Sequence, residues 1–197
     1  MATTKLPYHH GDLKRALVAA AVQILEEQGL SALTLSDVAL RAHVTKAAPY
    51  HHFANKQALL AAVAEDGFRA LYAQLTRAAA TEGPDPSKRL RAMGVAYVRF
   101  AQEHRGHFDS MFGIDLSPWD RFPGLRDAAS LSFFLMRSTA TEAGLDETEF
   151  ASAWALVHGL AMLWVGGPLR SRAPKGIEAL TRAAIDRFLR GPRQRRK

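Results

Sequence analysis

The chain has 197 residues, a formal net charge of +7 and no cysteine. The lack of cysteine excludes a disulfide framework and a thiolate metal site, and 48% hydrophobic with 23% charged residues is typical of a soluble globular protein. No apolar run approaches the ~18 residues of a membrane span, and the N-terminus lacks a signal-peptide pattern. We therefore expect a cytoplasmic protein without membrane contact, whose basic character favours a polyanionic partner.

Helical periodicity runs through nearly the whole sequence, and no segment alternates with the period of a strand. The sequence predicts an all-α fold of about nine helices, each opened by a capping residue or an N-terminal proline, or closed by glycine. In chain order, the predicted helices are 12–28, 34–42, 45–53, 55–75, 86–100, a short piece near 108–112, 125–143, 146–165 and 177–189.

The second and third predicted helices are short and lie across a turn of about three residues, after a longer supporting helix. This spacing is typical of a helix-turn-helix motif, here residues 34–53. We predict a DNA-binding domain at 1–56, a helical ligand-binding and dimerisation domain at 57–189, and a basic disordered tail at 190–197. The alternative for 34–53 is a structural helical hairpin with surface His and Tyr residues.

The residue types of the predicted third helix suit a helix that lies in the major groove. Thr45 reads as its N-cap, and Lys46 and Ala47 keep its N-terminal end slim enough to approach base edges. Donors for phosphate oxygens surround it, and Pro49 would present a stiff apolar surface, suited to a thymine methyl. The predicted DNA-binding residues are Thr34, Thr45, Lys46, Ala47, Pro49, Tyr50, His51, His52 and Lys56.

The stretch "TLSDVALRAHVTKAAPYHHFANKQALL" resembles the DNA-binding region of TetR-type bacterial transcriptional regulators. The resemblance covers about residues 11–60. It implies that Thr34, Tyr50, His52 and Lys56 contact phosphates, that Lys46, Ala47 and His51 face the groove, and that Phe53 lies in the core. His43 stands where the family generally has glycine, a substitution that a left-handed turn tolerates at modest cost.

The back of the chain contains a predicted helix, 150–165, that is apolar on almost every face. Such a helix is buried all round, so one face can contact its own domain and another a partner subunit. Paired DNA half-sites also require a two-fold dimer. The predicted dimer interface consists of Leu156, Leu160, Leu163, Leu180, Ala184 and Phe188; the alternative is a monomer in which these helices are internal.

Trp154, His158 and Gly159 are similar to a Trp-His-Gly motif that names one subtype of TetR-type C-terminal domains. We expect Gly159 to allow close approach of a second helix. We also expect the residues around Trp154 and His158 to line a cavity that binds a small apolar or amphipathic effector, since Met and aromatic side chains suit irregular pockets. The alternative for His158 is a core residue bonded to a backbone carbonyl. The predicted wall residues are Met93, Tyr97, Phe100, Met111, Phe112, Phe134, Trp154, His158 and Met162.

Other chemistries have weaker support in the sequence. Adjacent histidines, and His104 with His107, give no more than two ligands without an acidic partner, so we expect no metal site and no cofactor. No catalytic triad, carboxylate pair or phosphate-binding glycine loop points to an enzyme. We predict a homodimeric, ligand-released repressor of a palindromic operator; an architectural DNA-binding protein and an activator remain the alternatives.

Overall fold

The computed structural model describes residues 10–113, 116, 119–171 and 176–191. Within those ranges it contains eight α-helices and three short 3₁₀ helices, with no strand, which confirms the predicted all-α fold class. The α-helices are α1 (His10–Gln28), α2 (Leu35–Arg41), α3 (Lys56–Ala80), α4 (Pro86–Glu103), α5 (Arg105–Phe112), α6 (Pro123–Glu142), α7 (Glu147–Val165) and α8 (Gly176–Arg190). The 3₁₀ helices are Leu30–Ala32, Ala48–His51 and Trp119–Arg121.

Side-chain caps begin several helices where the sequence predicts a start. The Asn55 side chain accepts a hydrogen bond from the Ala58 N–H at 2.9 Å, one turn into α3. At the start of α7, Asp146 accepts from the Glu149 N–H at 2.8 Å, and the Glu149 carboxylate accepts from the Asp146 N–H at 3.0 Å. These bonds satisfy N–H groups that have no partner within the helix, so the local sequence determines where each helix begins.

The predicted third α-helix is absent, and a four-residue 3₁₀ helix takes its place. Pro49 has no N–H, so the α-helical bond to the Thr45 carbonyl cannot form, and that carbonyl accepts instead from the Ala48 N–H at 2.9 Å. The N-cap position belongs to Ala47, which makes no side-chain cap bond, so the expectation of Thr45 as N-cap is wrong. The proline therefore shortens the element instead of being tolerated inside it.

The turn between α2 and that 3₁₀ helix closes α2 in a left-handed cap. His43 has φ of 56°, and its N–H donates to the Leu40 carbonyl, while the Val44 N–H donates to the Ala39 carbonyl at 3.0 Å. These two bonds form a Schellman motif, which usually has glycine at the left-handed position. The structure thus confirms that the family's glycine position is left-handed here and that histidine occupies it.

The long helix α3 is the centre of the fold. It packs most extensively against α6, α4 and α5, and its N-terminal part contacts α1. Nine of its residues are buried, from Leu59 to Leu75. Because α3 begins at Lys56, the predicted boundary between residues 56 and 57 falls inside a continuous helix, and both predicted domains share it; the boundary itself stays a prediction.

The back helices pack around α4, which α3, α7 and α8 all contact. On α7 the buried residues are Phe150, Val157, Ala161 and Val165, which lie on one side. On the outer side of α7, Met162 and Leu163 are 45% and 48% exposed in the protomer, so burial of this face by a partner subunit stays a prediction.

The last helix, α8, continues to Arg190, so the described part of the predicted tail begins as helix. Residues 192–197 of that tail lie outside the described residues. None of the helices that the structure describes combines the length and hydropathy that crossing a membrane requires.

We predict that replacing His43 by glycine raises the free energy of unfolding by about 0.5–1 kcal/mol, because glycine adopts a positive φ without a steric penalty. His43→Val should lower the free energy of unfolding by about 1 kcal/mol or more, since a β-branched residue is strained there. Urea denaturation of both variants measures the difference.

The matched control is Ala42→Gly at the preceding position, where φ is −79° and there is no left-handed strain to relieve. This variant should lower the free energy of unfolding. If His43→Gly lowers it as well, the left-handed position is not strained by histidine.

Candidate nucleic-acid interface and interior cavity

The helix-turn-helix unit is held together by a small apolar core and one ion pair. Leu33, Val38 and Phe53 are at most 3% exposed, and they belong to the same buried cluster as α1 and α3. Arg41 on α2 forms two hydrogen bonds of 2.6 Å with the Glu27 carboxylate on α1. This bidentate pair orients α2 against α1, and the sequence reasoning missed it because residues 14 apart are not neighbours on one helix.

The short segment after the turn presents a continuous exposed surface. Thr45, Lys46, Ala47 and His51 are exposed, and the Tyr50 side chain is 56% exposed. The surface therefore offers two hydroxyls, an ammonium group and an imidazole, with a small alanine among them. These groups can donate to phosphate oxygens or to base edges, which is the chemistry of a DNA-facing surface.

Pro49 lies beneath this surface and not on it. Its side chain is buried, while its carbonyl accepts hydrogen bonds from the His52 N–H at 3.0 Å and the Phe53 N–H at 2.8 Å. Burial corrects the expectation that the proline ring forms an exposed apolar surface against a thymine methyl. Pro49 and Phe53 are both buried, so they anchor the 3₁₀ helix to the apolar core of the helix-turn-helix unit.

Two residues with an expected phosphate role already have partners in the protein. The Thr34 hydroxyl accepts from the Asp37 N–H at 3.1 Å and donates to the Asp37 carboxylate, so it caps α2. The Lys56 ammonium is half-buried and donates to the Leu30 carbonyl at 3.0 Å. An ammonium has three donors, so Lys56 retains capacity for a phosphate, whereas Thr34 would have to exchange its Asp37 contact. His52 is half-buried beside Phe53.

A cavity of about 240 Å³ lies in the back bundle among α3, α4, α5, α6 and α7. Its walls consist mainly of aromatic and aliphatic side chains. The lining residues are Phe68, Leu71, Tyr97, Phe112, Ala129, Ser130, Ser132, Phe133, Met136 and Trp154. A smaller cavity of about 40 Å³ lies among α4, α6, α7 and α8 and shares Tyr97, Met136 and Trp154 with it. The cavity has the concave, largely apolar character of a small-molecule site.

A polar pair lies at one wall of this cavity. The Tyr97 hydroxyl is 2.9 Å from His158 Nδ1, and burial raises the pKa of Tyr97 well above its ordinary value. Burial also lowers the pKa of His158, because a low-dielectric environment disfavours the charged imidazolium. In a neutral His158 with an unprotonated Nδ1, this nitrogen accepts a hydrogen bond from the Tyr97 hydroxyl, so the two side chains orient each other. The partner of His158 Nδ1 is thus a tyrosine and not the backbone carbonyl expected of a core histidine, while a role of His158 in ligand binding stays a prediction.

The nine predicted wall residues separate into three groups. Tyr97, Phe112 and Trp154 line the larger cavity, and Met93 lines the smaller one with two of them. Phe100, Met111 and His158 are absent from both linings, although His158 packs edge-to-face against Phe112 with ring centroids 4.8 Å apart. Phe134 is 68% exposed and Met162 is 45% exposed, so these two expectations are wrong.

The sequence reasoning missed wall residues on α3 and α6. Phe68 and Leu71 read only as the apolar face of α3, and Phe133, not Phe134, faces the cavity, with its ring 5.7 Å from that of Trp154. A signal was present on α6, since Ala129, Ser132, Phe133 and Met136 recur at helical spacing. Side chains of neighbouring residues point about 100° apart on a helix. Which of the two phenylalanines faces the cavity therefore depends on which side of α6 packs against α3.

The predicted interface residues line the outer part of the back bundle. Leu163 is 48% exposed, while Leu156, Leu160, Leu180, Ala184 and Phe188 are half-buried. A Cβ added at Gly159 would meet nothing within 4 Å, so no helix that the structure describes in this protomer makes the expected close approach to Gly159. The face of α7 around Gly159 is therefore open in the protomer.

Comparisons with known proteins agree with this architecture. A family model described as bacterial regulatory proteins, tetR family, matches residues 17–63, and a model described as tetracyclin repressor-like, C-terminal domain, matches residues 90–188. No curated protein matches the sequence. The models do not test the Trp-His-Gly subtype, which stays a prediction.

Solved structures show the same fold. A protein described as of unknown function from Rhodococcus sp. RHA1 is 36% identical, with a TM-score of 0.81, over 95% of this chain and 98% of that one. The fatty acid degradation regulator FadR from Bacillus halodurans is 17% identical, with a TM-score of 0.71, over 97% and 99%. The TetR family transcriptional regulator PfmR from Thermus thermophilus is 23% identical, with a TM-score of 0.62, over 89% and 98%. The last two show the fold alone.

A helix-turn-helix unit joined through one long helix to a larger helical bundle defines a class of bacterial transcriptional regulators. The chain belongs to the tetR family of this class, since the two family models together cover both of its parts.

We predict that Tyr50→Phe weakens binding to all DNA sequences by a similar factor of about 3 to 10, because it removes one phosphate hydrogen bond and no base contact. Lys46→Ala should change which DNA sequence is preferred, because Lys46 is predicted to contact base edges. Fluorescence anisotropy with a set of duplexes, at several salt concentrations, measures both effects.

The control for Tyr50→Phe is its melting temperature, which should not change since the ring is 56% exposed. Lys56→Ala needs the same control, because loss of the hydrogen bond to the Leu30 carbonyl can destabilise the helix-turn-helix unit. A Tyr50→Phe, Lys56→Ala variant that folds normally and binds DNA with unchanged affinity would exclude the phosphate role of both side chains.

Proposed function

We propose that the protein is a homodimeric, ligand-released transcriptional repressor that binds a palindromic operator. The observation that carries this proposal is the exposed surface of Thr45, Lys46, Ala47, Tyr50 and His51, held by the core of a tetR-family helix-turn-helix unit. Hydroxyl, ammonium and imidazole donors on a rigid support match the needs of phosphate and base recognition. Among the predicted contacts, Lys56 and His52 flank this surface and Thr34 lies at the start of α2.

The dimer is supported by the outer face of α7. Its apolar residues are Ala155, Leu156, Gly159, Met162 and Leu163, and three of them are exposed in the protomer. A contiguous apolar face of this kind usually marks a protein interface. Because a Cβ added at Gly159 would meet no atom of the described neighbouring residues within 4 Å, a partner helix can pack closely there. Two front units related by a two-fold axis then read two half-sites.

Ligand control is supported by the position of α5 between the cavity and the front unit. Near its start, Gly106 is buried against α1, where a Cβ would lie 3.0 Å from the Val22 carbonyl oxygen. At its other end, Phe112 lines the cavity and packs edge-to-face against His158. A ligand that moves Phe112 therefore acts on α5, whose close contact with α1 carries the displacement to the front unit.

The contact between α5 and α3 limits how α5 can move. His107 Nε2 lies 3.1 Å from the Asp66 carboxylate, and this hydrogen bond holds the pKa of Asp66 below its ordinary value. With one side held by this pair, α5 is expected to tilt about it when the cavity fills. The ligand then shifts the dimer between a half-site spacing that fits the operator and one that does not.

Selection of bound sites from random duplex DNA tests the proposal. We expect an inverted repeat whose half-sites lie one helical turn or more apart. Bound sites without symmetry, with weak sequence preference and a steep salt dependence, would favour an architectural DNA-binding protein. Reporter expression from the selected site, with the protein present and absent, distinguishes a repressor from an activator.

We predict that Leu163→Glu converts the dimer to a monomer, because a carboxylate would be buried without a partner in the α7 interface. The matched control is Tyr72→Glu on α3, at a side chain that is 36% exposed and outside the proposed interface. Analytical ultracentrifugation measures the mass of both variants. A Leu163→Glu protein that stays dimeric would place the interface elsewhere.

A further inference from the structure

The segment that carries the DNA-facing surface has no carboxylate of its own. Residues 38–64 include three Arg or Lys and three His residues, but no Asp or Glu. The charge of Arg41 is compensated by its two hydrogen bonds with the Glu27 carboxylate, which leaves the ammonium groups of Lys46 and Lys56. Protonation of the three imidazoles would therefore add three positive charges to two, so the charge of this segment depends strongly on pH.

Two of the three imidazoles are exposed within or beside the DNA-facing surface. His51 belongs to this surface and follows Tyr50. His43 is exposed in the preceding turn, and its Cα lies within about 8 Å of that of Thr45, because two peptide units separate them. His52 is half-buried, so its ring has less freedom to turn. An exposed imidazole can rotate until it donates to a phosphate oxygen at the edge of the surface.

The acidic groups around these two imidazoles are engaged with other side chains. The titratable and charged groups on the turn, on the 3₁₀ helix and on the helices next to them are Glu27 on α1, Asp37 and Arg41 on α2, Lys46, Tyr50 and His52 in the segment itself, and Lys56 on α3. Glu27 accepts from Arg41, and Asp37 accepts from the Thr34 hydroxyl. Among the residues that the structure describes, the histidine with a carboxylate partner is His107 in the back bundle. A DNA phosphate would therefore be the first anion to contact either imidazole.

The backbone at His43 gives a second reason to assign a role to its side chain. Its φ of 56° lies in the left-handed region, where glycine carries no steric penalty. A side chain at this position is strained, and strained backbone positions occur most often where the residue takes part in function. The side chain is exposed, so packing in the core does not account for it. A contact with DNA does account for it.

We propose that His43 and His51 bind DNA phosphates as imidazolium groups, so that the protein takes up protons when it binds DNA. A phosphate favours the protonated form of an imidazole. The gain in affinity is therefore fully present at acidic pH, and it is lost as the pH rises through the range of about 5 to 8 in which imidazoles change charge. The inference rests on the DNA-facing role of the surface, and it needs neither ligand control nor a palindromic site.

The first test measures the DNA affinity of the full-length protein at pH 6 and pH 8. Fluorescence anisotropy is recorded at several salt concentrations, with the selected site and with an unrelated duplex. We expect both duplexes to bind at least about tenfold more tightly at pH 6. The slope of log affinity against log salt concentration should also be steeper at pH 6, by about one unit for each imidazolium that neutralises a phosphate. Affinities within about twofold and equal slopes at the two pH values would overturn the inference.

Two variants assign the effect to the two imidazoles. His51→Gln and His43→Asn keep a polar side chain that cannot be charged, and asparagine is tolerated in the left-handed region. Each should lower the ratio of affinities at pH 6 and pH 8 by about threefold, and together they should bring it to within about twofold of one. The control is His104→Gln between α4 and α5, which should keep the ratio. Melting temperatures at both pH values show whether each variant is folded.

Calorimetry gives an independent count of the protons. Duplex DNA is titrated into the protein at pH 7 in two buffers that differ in their enthalpy of ionisation, so that the difference in heat measures proton uptake. We expect about one proton per protomer for the unaltered protein and close to none for the double variant. A double variant that takes up as many protons as the unaltered protein, or keeps its full affinity ratio, would overturn the assignment to His43 and His51.

The use of two duplexes separates this inference from the proposed function. Phosphate contacts do not depend on base sequence, so the effect of pH is expected on the unrelated duplex as well. Proton uptake with no preference for a palindrome would support the imidazolium contacts and contradict the proposed repressor. Tight binding to a palindrome that is equal at pH 6 and pH 8 would support the regulator and overturn the imidazolium contacts.

Discussion

The burial of α3 on several sides is the constraint on which the rest of the structure depends. Its first residue, Lys56, holds the Leu30 carbonyl in the front unit, and Phe68 and Leu71 line the cavity. Twelve residues separate Lys56 from Phe68, a distance of about 18 Å along a helix. Since a single uninterrupted helix carries both features, neither can move far without the other, and no flexible linker separates DNA recognition from the bundle.

The second constraint is the close contact of α5 with α1 at Gly106. A side chain there would push α5 away from the Val22 carbonyl, so the contact depends on the missing Cβ. Further along, α5 carries Phe108 near its middle and Phe112 at its end, whose ring centroids are 5.7 and 4.8 Å from that of His158. The helix is only eight residues long, so its contact with α1 and its contact with His158 lie close together along the chain. This geometry supports the proposed ligand control.

Much of the fold could be predicted from the sequence because helix starts depend on local hydrogen bonds. Asn55, Asp85 and Asp146 accept from N–H groups two or three residues later, and these contacts form wherever the chain turns into a helix. The α-helix predicted over 45–53 is the one that the structure does not contain. Its capping and donor residues read as helical, but Pro49 removes a backbone donor, and burial of its ring against the front core favours the shorter 3₁₀ helix.

By itself, the sequence determined the all-α class and the start of most helices, since each depends on neighbours within a few residues. Only the tertiary structure decided which side of each helix faces inward. Phe133 and Phe134 are alike in the sequence, yet packing of α6 against α3 turns one toward Trp154 and leaves the other 68% exposed. The Tyr97–His158 pair likewise arises where separate helices meet, because long-range packing, and not local periodicity, brings those atoms together.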